Sequence, residues 1–359
     1  MLQLCGTLCA KSFIVALAAL AATASFAQSS VTIWGVVDAG VQSAKQNGVS
    51  KTQLTTSGLS SSQLGFRGTE DLGGGMSASF WMEGTLVNDA GTPAGLQFGR
   101  RSTLDLAGNF GAIRLGRDYT PTFWNHTVFD AFGTLGSGAG SNITLAPSGS
   151  NAATAARTSN GVSYLYGFAN NAGSAVGKGG VYAQVTHAFG EQLSTAAAQT
   201  NQYQGARVGY INGPMNVAVS TGNTVVSASA KDKHTNIAGS YDLGVAKLMV
   251  LNSSFTNGTT NAKVTANQIS AQVPMGSGYI PVSYATAKNS ANDQKGSQFA
   301  IGYVHNLSKR TALYGTYSSI TNKNGAGYTF LGGNGGYGAG LTAGGANGTG
   351  MDIGVRHTF

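Results

Sequence analysis

Apolar and polar residues alternate along most of the chain, and the last ten residues show the pattern most clearly. Met351 and Ile353 fall on one face of an extended backbone, and Asp352 and Arg356 fall on the other, because successive side chains of a β-strand point to opposite sides. The apolar face ends in an aromatic terminus, Phe359. The pattern predicts a strand with an apolar medium on one side and water on the other. A soluble edge strand would show the same alternation, so the rest of the chain decides.

The same alternation recurs near the amino terminus and assigns inward and outward faces. In the second predicted strand Gln63 and Arg67 share the polar face, and in the third Glu83 shares it with Trp81. We expect these side chains to face the interior of the fold. The first three strands are predicted at residues 31–41, 61–68 and 76–86.

Short turns and long polar segments alternate between the predicted strands. Seven turns rich in Asn, Gly and Pro and eight longer segments make connections for sixteen strands. An even strand number with short turns at one end and long loops at the other is typical of an outer-membrane β-barrel, in which the last strand must pair with the first. The turns are predicted at 70–75, 108–111, 170–173, 212–214, 242–244, 275–278 and 306–309, and the loops at 42–60, 87–95, 119–158, 188–204, 223–232, 257–264, 288–296 and 323–348.

Composition favours the same fold class, an all-β, sixteen-stranded antiparallel transmembrane barrel. Glycine accounts for 54 of 359 residues and proline for only 6. No apolar run after residue 27 reaches the roughly 20 residues that a membrane-spanning helix needs, and a closed barrel is the other structure that satisfies all backbone groups in lipid. The loop predicted at 119–158 is long enough to fold into the lumen and narrow it.

Residues 1–27 read as a secretory signal, with Lys11 before an apolar stretch and small residues before a cleavage site at Ala27/Gln28. The mature domain is therefore predicted at 28–359, and both cysteines, Cys5 and Cys9, would be removed. Basic residues outnumber acidic ones, 21 to 13 in the whole chain. The basic residues are scattered and the chain is predicted to be exported, so nucleic acid is not an expected partner. The excess of positive charge is better explained by attraction of anions.

Four segments resemble the trimeric porins of β-proteobacterial outer membranes, and the anion-selective porin of that group above all. The resemblance implies a sixteen-stranded barrel in outer-membrane lipid, a homotrimer, a third loop folded into the pore, and passive diffusion of ions and small hydrophilic solutes. It also implies that the barrel-assembly machinery reads the terminal Phe359. The segments are 29–40, 64–75, 108–118 and 302–315.

The resemblance also implies a cluster of charges at the pore constriction. Arginines of the anion-selective relatives map to Arg100 and Arg157, and the glutamate of the third strand maps to Glu83, but a further arginine position holds Gln63 here. Strand parity points Arg101 rather than Arg100 inward unless a bulge intervenes, so both are candidates.

Two further charges are candidates for the constriction. Arg67 has inward parity, and Asp130 is the only acid between residues 119 and 158. Unbalanced arginines in a narrow pore predict weak to moderate anion selectivity.

Three other functions are weighed against a general porin. A substrate-specific porin could use Trp34, Trp81 and Trp124 as an aromatic track. A barrel enzyme would need a nucleophile and a base together, but the five histidines are dispersed. An adhesin would act through the long loops. No metal or other cofactor is expected, because the mature chain has no cysteine and no histidine pair has ligand spacing.

Overall fold

The computed structural model describes residues 30–91, 97–145, 152–168, 177–330 and 345–359. The predicted signal segment, residues 1–27, and the turn predicted at 170–173 lie outside the described residues, as do parts of the loops predicted at 87–95, 119–158 and 323–348. Among the described helices, none combines the length and the apolar composition needed to cross a membrane.

In the described residues, seventeen antiparallel strand segments form one closed sheet: β1 pairs with both β2 and β3, the later segments pair with their neighbours in the chain, and β17 pairs back onto β1. Closure leaves no open edge along the sheet. The segments are β1 (Ser30–Gln46), β2 (Val49–Thr55), β3 (Gln63–Gly73), β4 (Met76–Thr85), β5 (Arg101–Gly108), β6 (Gly111–Tyr119), β7 (Arg157–Tyr166), β8 (Gly180–Ala188), β9 (Tyr203–Asn212), β10 (Met215–Val225), β11 (Lys231–Asp242), β12 (Lys247–Thr256), β13 (Lys263–Met275), β14 (Gly278–Asn289), β15 (Lys295–Asn306), β16 (Thr311–Lys323) and β17 (Gly348–Thr358).

The segments make sixteen strands of the barrel because β2 and β3 are two halves of one. Both pair with β1, β2 with its carboxyl-terminal half and β3 with its amino-terminal half. The backbone between them leaves the ladder, and the carboxylate of Asp38 accepts hydrogen bonds from the amides of Leu59 (2.9 Å) and Ser60 (2.7 Å) there. The predicted sixteen-stranded antiparallel barrel is confirmed.

The prediction of a long loop at 42–60 is wrong. β1 continues to Gln46, and a two-residue turn leads directly into β2. Asn47 and Gly48 have φ angles of 50° and 75°, the left-handed pair that a tight hairpin requires. Gln42 and Gln46 are polar because they face the barrel interior, so a strand beside water resembles a loop in composition.

The pairing of β17 with β1 ends at the terminal residue. The backbone of Phe359 exchanges two hydrogen bonds with Gly35, at 3.1 and 3.0 Å. A Cβ at position 35 would lie too close to the phenyl ring of Phe359 and 2.9 Å from the backbone oxygen of Gln63, so any other residue would force these groups to shift. The predicted pairing of last strand with first is confirmed.

The barrel is apolar outside and polar inside, the reverse of a soluble protein. Leu104 and Ile353 are among the exposed apolar side chains, whereas Asp105, Gln298 and Asp352 are buried on the inward face. Each strand alternates between the two environments, as the sequence pattern predicted. The arrangement fits a wall with lipid on one side and a filled, polar lumen on the other.

The connection between β6 and β7 folds into this lumen as the third loop, as predicted. It contains α1 (Pro121–Val128), α2 (Ser141–Thr144) and α3 (Ala152–Ala155). Thr120 caps α1 by accepting a hydrogen bond from the amide of Phe123 (3.3 Å). Helix α1 packs against β9, β10 and β11, and α2 packs against β13, β14 and β15. The loop therefore crosses the interior and narrows the channel.

Candidate functional site

A cluster of charged side chains lines the inner face of β3 to β7, beside the start of the third loop. In β5, Arg101 is buried with Asp105, and Leu104 is exposed on the opposite face. Arg100 precedes β5, and its Nε donates to Glu83 Oε1 at 2.5 Å. Both arginines thus point inward, because the regular alternation of β5 begins only at Arg101.

Three buried charges next to Arg101 form a closed ion-pair network. Arg114 donates to Asp105 through Nε (2.9 Å) and Nη2 (2.7 Å), and through Nη1 to Asp118 (2.7 Å). Asp118 lies four residues after Arg114 and therefore faces inward with it. Arg101 lies 3.7 Å from Asp105 and 3.9 Å from Asp118. Two arginines and two carboxylates here balance each other.

Aromatic rings contact the arginines outside this network and Arg101 within it. The guanidinium of Arg67 lies 5.2 Å from the ring centroid of Trp81, and that of Arg101 lies 4.7 Å from the same ring. The ring of Trp34 packs against Trp81 at 5.0 Å, and Trp81 Nε1 donates to Glu83 (3.0 Å). Cation–π contact fixes an arginine without neutralising its charge.

Tyr119 joins the cluster to the third loop. Its hydroxyl accepts hydrogen bonds from Arg100 (3.2 Å) and Arg157 (2.6 Å), and the Arg157 guanidinium lies 4.2 Å from its ring centroid. The ring also stacks on Phe123 of α1, with centroids 4.8 Å apart, and meets Trp124 edge-to-face at 4.7 Å. The position of α1 therefore depends on the residue that holds the arginines.

The cluster has more positive than negative charges. Arg67, Arg100, Arg101, Arg114 and Arg157 stand beside Glu83, Asp105 and Asp118, which leaves an excess of two positive charges. Within the described part of the chain, Arg67 and Arg157 have no carboxylate within ion-pair distance; the other three arginines do. The excess thus resides on Arg67, which contacts Trp81, and on Arg157, which contacts Tyr119.

The remaining predicted site residues lie at different places. Gln63 begins β3 on the same face as Arg67, opposite Thr85 of β4. Asp130 is 5 % exposed in the third loop and accepts four hydrogen bonds, so it is not an open pore charge. Burial raises the pKa of Asp130, and its hydrogen bonds act in the opposite direction. Its donors are the amides of Phe132 (3.0 Å), Thr134 (3.1 Å) and Gly140 (3.0 Å) and the side chain of Gln268 (2.9 Å).

The opposite wall anchors α1 through polar side chains. Arg207 of β9 donates to Asn125 Oδ1 at 2.7 Å, and Asn125 Nδ2 donates to Asn236 of β11 at 2.7 Å. His126 Nδ1 lies 3.1 Å from the hydroxyl of Thr144, and its Nε2 lies 3.2 Å from Nε2 of His234. Burial, and then the neighbouring His234, lower the pKa of His126 well below 6.5, so its ring is neutral in the docked loop.

Sequence reasoning missed the residues that balance and connect the cluster. Asp105 shares the parity of Arg101, and Asp118 lies four residues after Arg114, so alternation could have placed both carboxylates inward. Tyr119 gave no such signal, because its role depends on Arg157, which the third loop brings back from 38 residues further along the chain. In the described part of the chain, no group of three His, Cys, Asp or Glu side chains could hold a metal ion.

Comparison with known proteins identifies the family. The Gram-negative porin model matches residues 15–325. The chain is 39% identical to outer membrane porin protein 32 of Delftia acidovorans, over 97% of this chain and 100% of the relative. It superposes on the anion-selective porin from Comamonas acidovorans with a TM-score of 0.79 at 36% identity, over 92% of this chain and 100% of the other.

A more distant match shows the fold alone. The trimer form of OmpT from Vibrio cholerae has a TM-score of 0.64 at 14% identity, over 92% of this chain and 99% of that one. The family consists of channels, so the barrel-enzyme alternative is set aside. The closed barrel, the loop in its lumen and the full-length relatives lead to one conclusion: the chain belongs to the Gram-negative porin family and is a channel of the cell outer membrane.

Proposed function

We propose that the channel passes small hydrophilic solutes by diffusion and favours anions weakly to moderately. The observation that carries this proposal is the excess of two positive charges in the cluster beside the third loop. A charge about 4 Å from an ion contributes roughly 1 kcal/mol in bulk-like water, which is about a five-fold preference. Salt reduces the effect, and similarity to the anion-selective porin from Comamonas acidovorans supports the same sign.

The proposal gives each site residue a role. Arg67 and Arg157 supply the unbalanced charge, whereas Glu83 offsets Arg100, and Asp105 and Asp118 offset Arg101 together with Arg114. Gln63, which replaces an arginine of the anion-selective pattern, keeps selectivity moderate. Asp130 fixes the third loop through its four hydrogen bonds.

Reversal potential across a planar bilayer tests this function. With purified protein in a KCl gradient, we expect a potential of the sign that chloride permeation produces, and a smaller one at higher salt. A potential of the sign of potassium permeation would refute anion selectivity.

A substrate-specific porin is the second candidate, and the aromatic and arginine side chains around Trp81 favour it. Trp34, Trp81, Arg67 and Arg101 form a continuous surface of rings and guanidinium groups. Such a surface would retain a solute with a carboxylate and an apolar body. Concentration-dependent block of ion current by a small aromatic carboxylate, without block by chloride, would support this candidate over general diffusion.

We further propose a homotrimer, cleavage of the signal segment near Ala27/Gln28, and recognition of Phe359 by the barrel-assembly machinery. A trimeric relative of the same fold supports the first. Native mass spectrometry of detergent-solubilised protein should give three times the mass of chain 28–359. A monomeric mass would refute the trimer, and a mass that retains residues 1–27 would refute the cleavage.

A further inference from the structure

The outer surface of β14, β15 and β16 carries three lysines in direct register. Lys288 is the cross-strand partner of Lys295, and Lys295 is the partner of Lys323. Directly paired residues on one face lie about 5 Å apart, so three ammonium groups form one row across the barrel wall. Like charges directly opposite each other destabilise a sheet, so a nearby negative charge would stabilise such a row.

The row lies on the outside of the barrel. Alternation places Lys288 with Tyr284, and Lys295 with Phe299, all on the lipid-facing side. The residues of opposite parity contact the third loop inside: Gln298 Nε2, for example, donates to the carbonyls of Ser137 and Ala139, both at 3.1 Å. The lysines therefore take no part in the pore cluster.

The lysines lie at the end of the strands where the longer loops connect them. In the porin family this end is the external one, since the short turns face the periplasm. One carboxylate accompanies the row: Asp293, in the loop between β14 and β15, lies 3.0 Å from Lys288 and 3.1 Å from Lys295. Hydrogen bonds from these lysines lower the pKa of Asp293. Three ammonium groups against one carboxylate leave two positive charges for an external anion.

Below the lysines, the same outer face changes in two regular steps. Thr286, Ser297 and Thr321 pair with one another two residues further along the strands, about 7 Å deeper. Tyr284 and Phe299 pair two residues beyond that, and are 49% and 41% exposed. The surface thus presents ammonium groups, then hydroxyl groups, then aromatic rings. Lys288, Lys295, Lys323 and the hydroxyl row line one open groove on the outer wall.

We propose that this lysine groove binds an outer-leaflet lipid whose headgroup carries phosphate. The layers match such a lipid in order: ammonium groups pair with phosphate oxygens, hydroxyls donate to phosphate or sugar oxygens, and the aromatic rings lie at the level where acyl chains begin. A basic row next to a lipid-facing wall attracts anionic lipid electrostatically. The lipid supplies the negative charge that the lysine row lacks.

Native mass spectrometry of the purified channel with diphosphorylated lipid A tests the proposal. We expect the wild type to retain the lipid. The affinity of K288Q/K295Q/K323Q for the lipid should be lower by about tenfold or more. The matched control is K231Q/K233Q/K247Q, which removes three charges elsewhere; Lys231 and Lys233 are exposed at the same end of β11. The control should bind as the wild type does, and reversal potentials should be the same in all three proteins.

Four outcomes would overturn the proposal. The triple variant could bind lipid A as the wild type does, or the wild type could bind lipid A stripped of both phosphates equally well. Inorganic phosphate at millimolar concentration could displace the lipid completely, which would indicate a site for the free anion. The triple variant could alter the oligomeric mass while lipid retention stays unchanged, which would indicate that a second copy of the chain covers the groove.

Discussion

At the scale of single residues, the most consequential contacts are the ion pairs of Arg114. Its guanidinium binds two carboxylates, Asp105 and Asp118, on the inner wall, and it is 4% exposed. Removing one member of a buried network costs more than the network contributes, because the remaining charges lose their partner. We expect R114M to lower the free energy of unfolding by about 3 to 5 kcal/mol. The loss of stability can be followed by gel electrophoresis after heating, as a lower temperature at which the fast-migrating band of the folded barrel disappears.

A neighbouring arginine supplies the control. Arg117 shares the outward face with its cross-strand partner Ser102 and donates to the Gly99 carbonyl (2.6 Å) and to Ser159 (2.8 Å). Since it has no role in the buried network, R117Q should melt close to the wild type. If R114M and R117Q melted at the same temperature, the network would not stabilise the barrel.

At the scale of elements, the third loop is the part that turns a barrel into a selective channel. Asp130 holds it by four hydrogen bonds, one of them from Gln268 on the wall. Asn in its place has one oxygen acceptor fewer, so D130N should increase open-channel current noise and cleavage within the loop by an added protease. It should leave the reversal potential nearly unchanged, because the carboxylate is buried. A strong shift toward anions in D130N, without added noise, would make Asp130 a selectivity residue instead.

The anchorage of α1 should also depend on pH. The docked loop holds His126 neutral, with a pKa well below 6.5, whereas an undocked loop would take up a proton near pH 6.5. Docking is therefore fully stable above that pH and loses free energy as the pH falls below it. Current noise of the wild type should rise on acidification to about pH 5, and H126Q should respond less. H187Q is the control, because His187 lies outside the third loop, in β8; equal responses of wild type and H126Q would contradict the assignment.

At the scale of the whole molecule, the sequence predicted the barrel better than the site. Alternation is a local property. It therefore predicted which side of the sheet is faced by Met351, Asp352 and Ile353, and β17 could be assigned as the closing strand. The hairpin at Asn47 and Gly48 was missed because inward-facing glutamines resemble loop residues. The meeting of Arg100 and Arg157 at Tyr119 could not be predicted, because the returning loop brings together residues distant in sequence.

The same limit explains the paired candidates Arg100 and Arg101. Parity alone allowed one of them inward, and the structure turns both inward because β5 begins between them. Charge balance likewise needs three dimensions, because Asp105 and Asp118 offset arginines only where the folded strands place them side by side. What remains is a small excess of charge at two identified positions.

The reversal potential of R67Q/R157Q, compared with the wild type in the same KCl gradient, tests the central claim most directly. The double variant removes the two positive charges that no carboxylate balances, and it breaks no ion pair of the cluster. We predict that the anion preference falls to nearly none while K231Q/K233Q/K247Q keeps the wild-type value. An unchanged anion preference in R67Q/R157Q would contradict the assignment of selectivity to these two arginines.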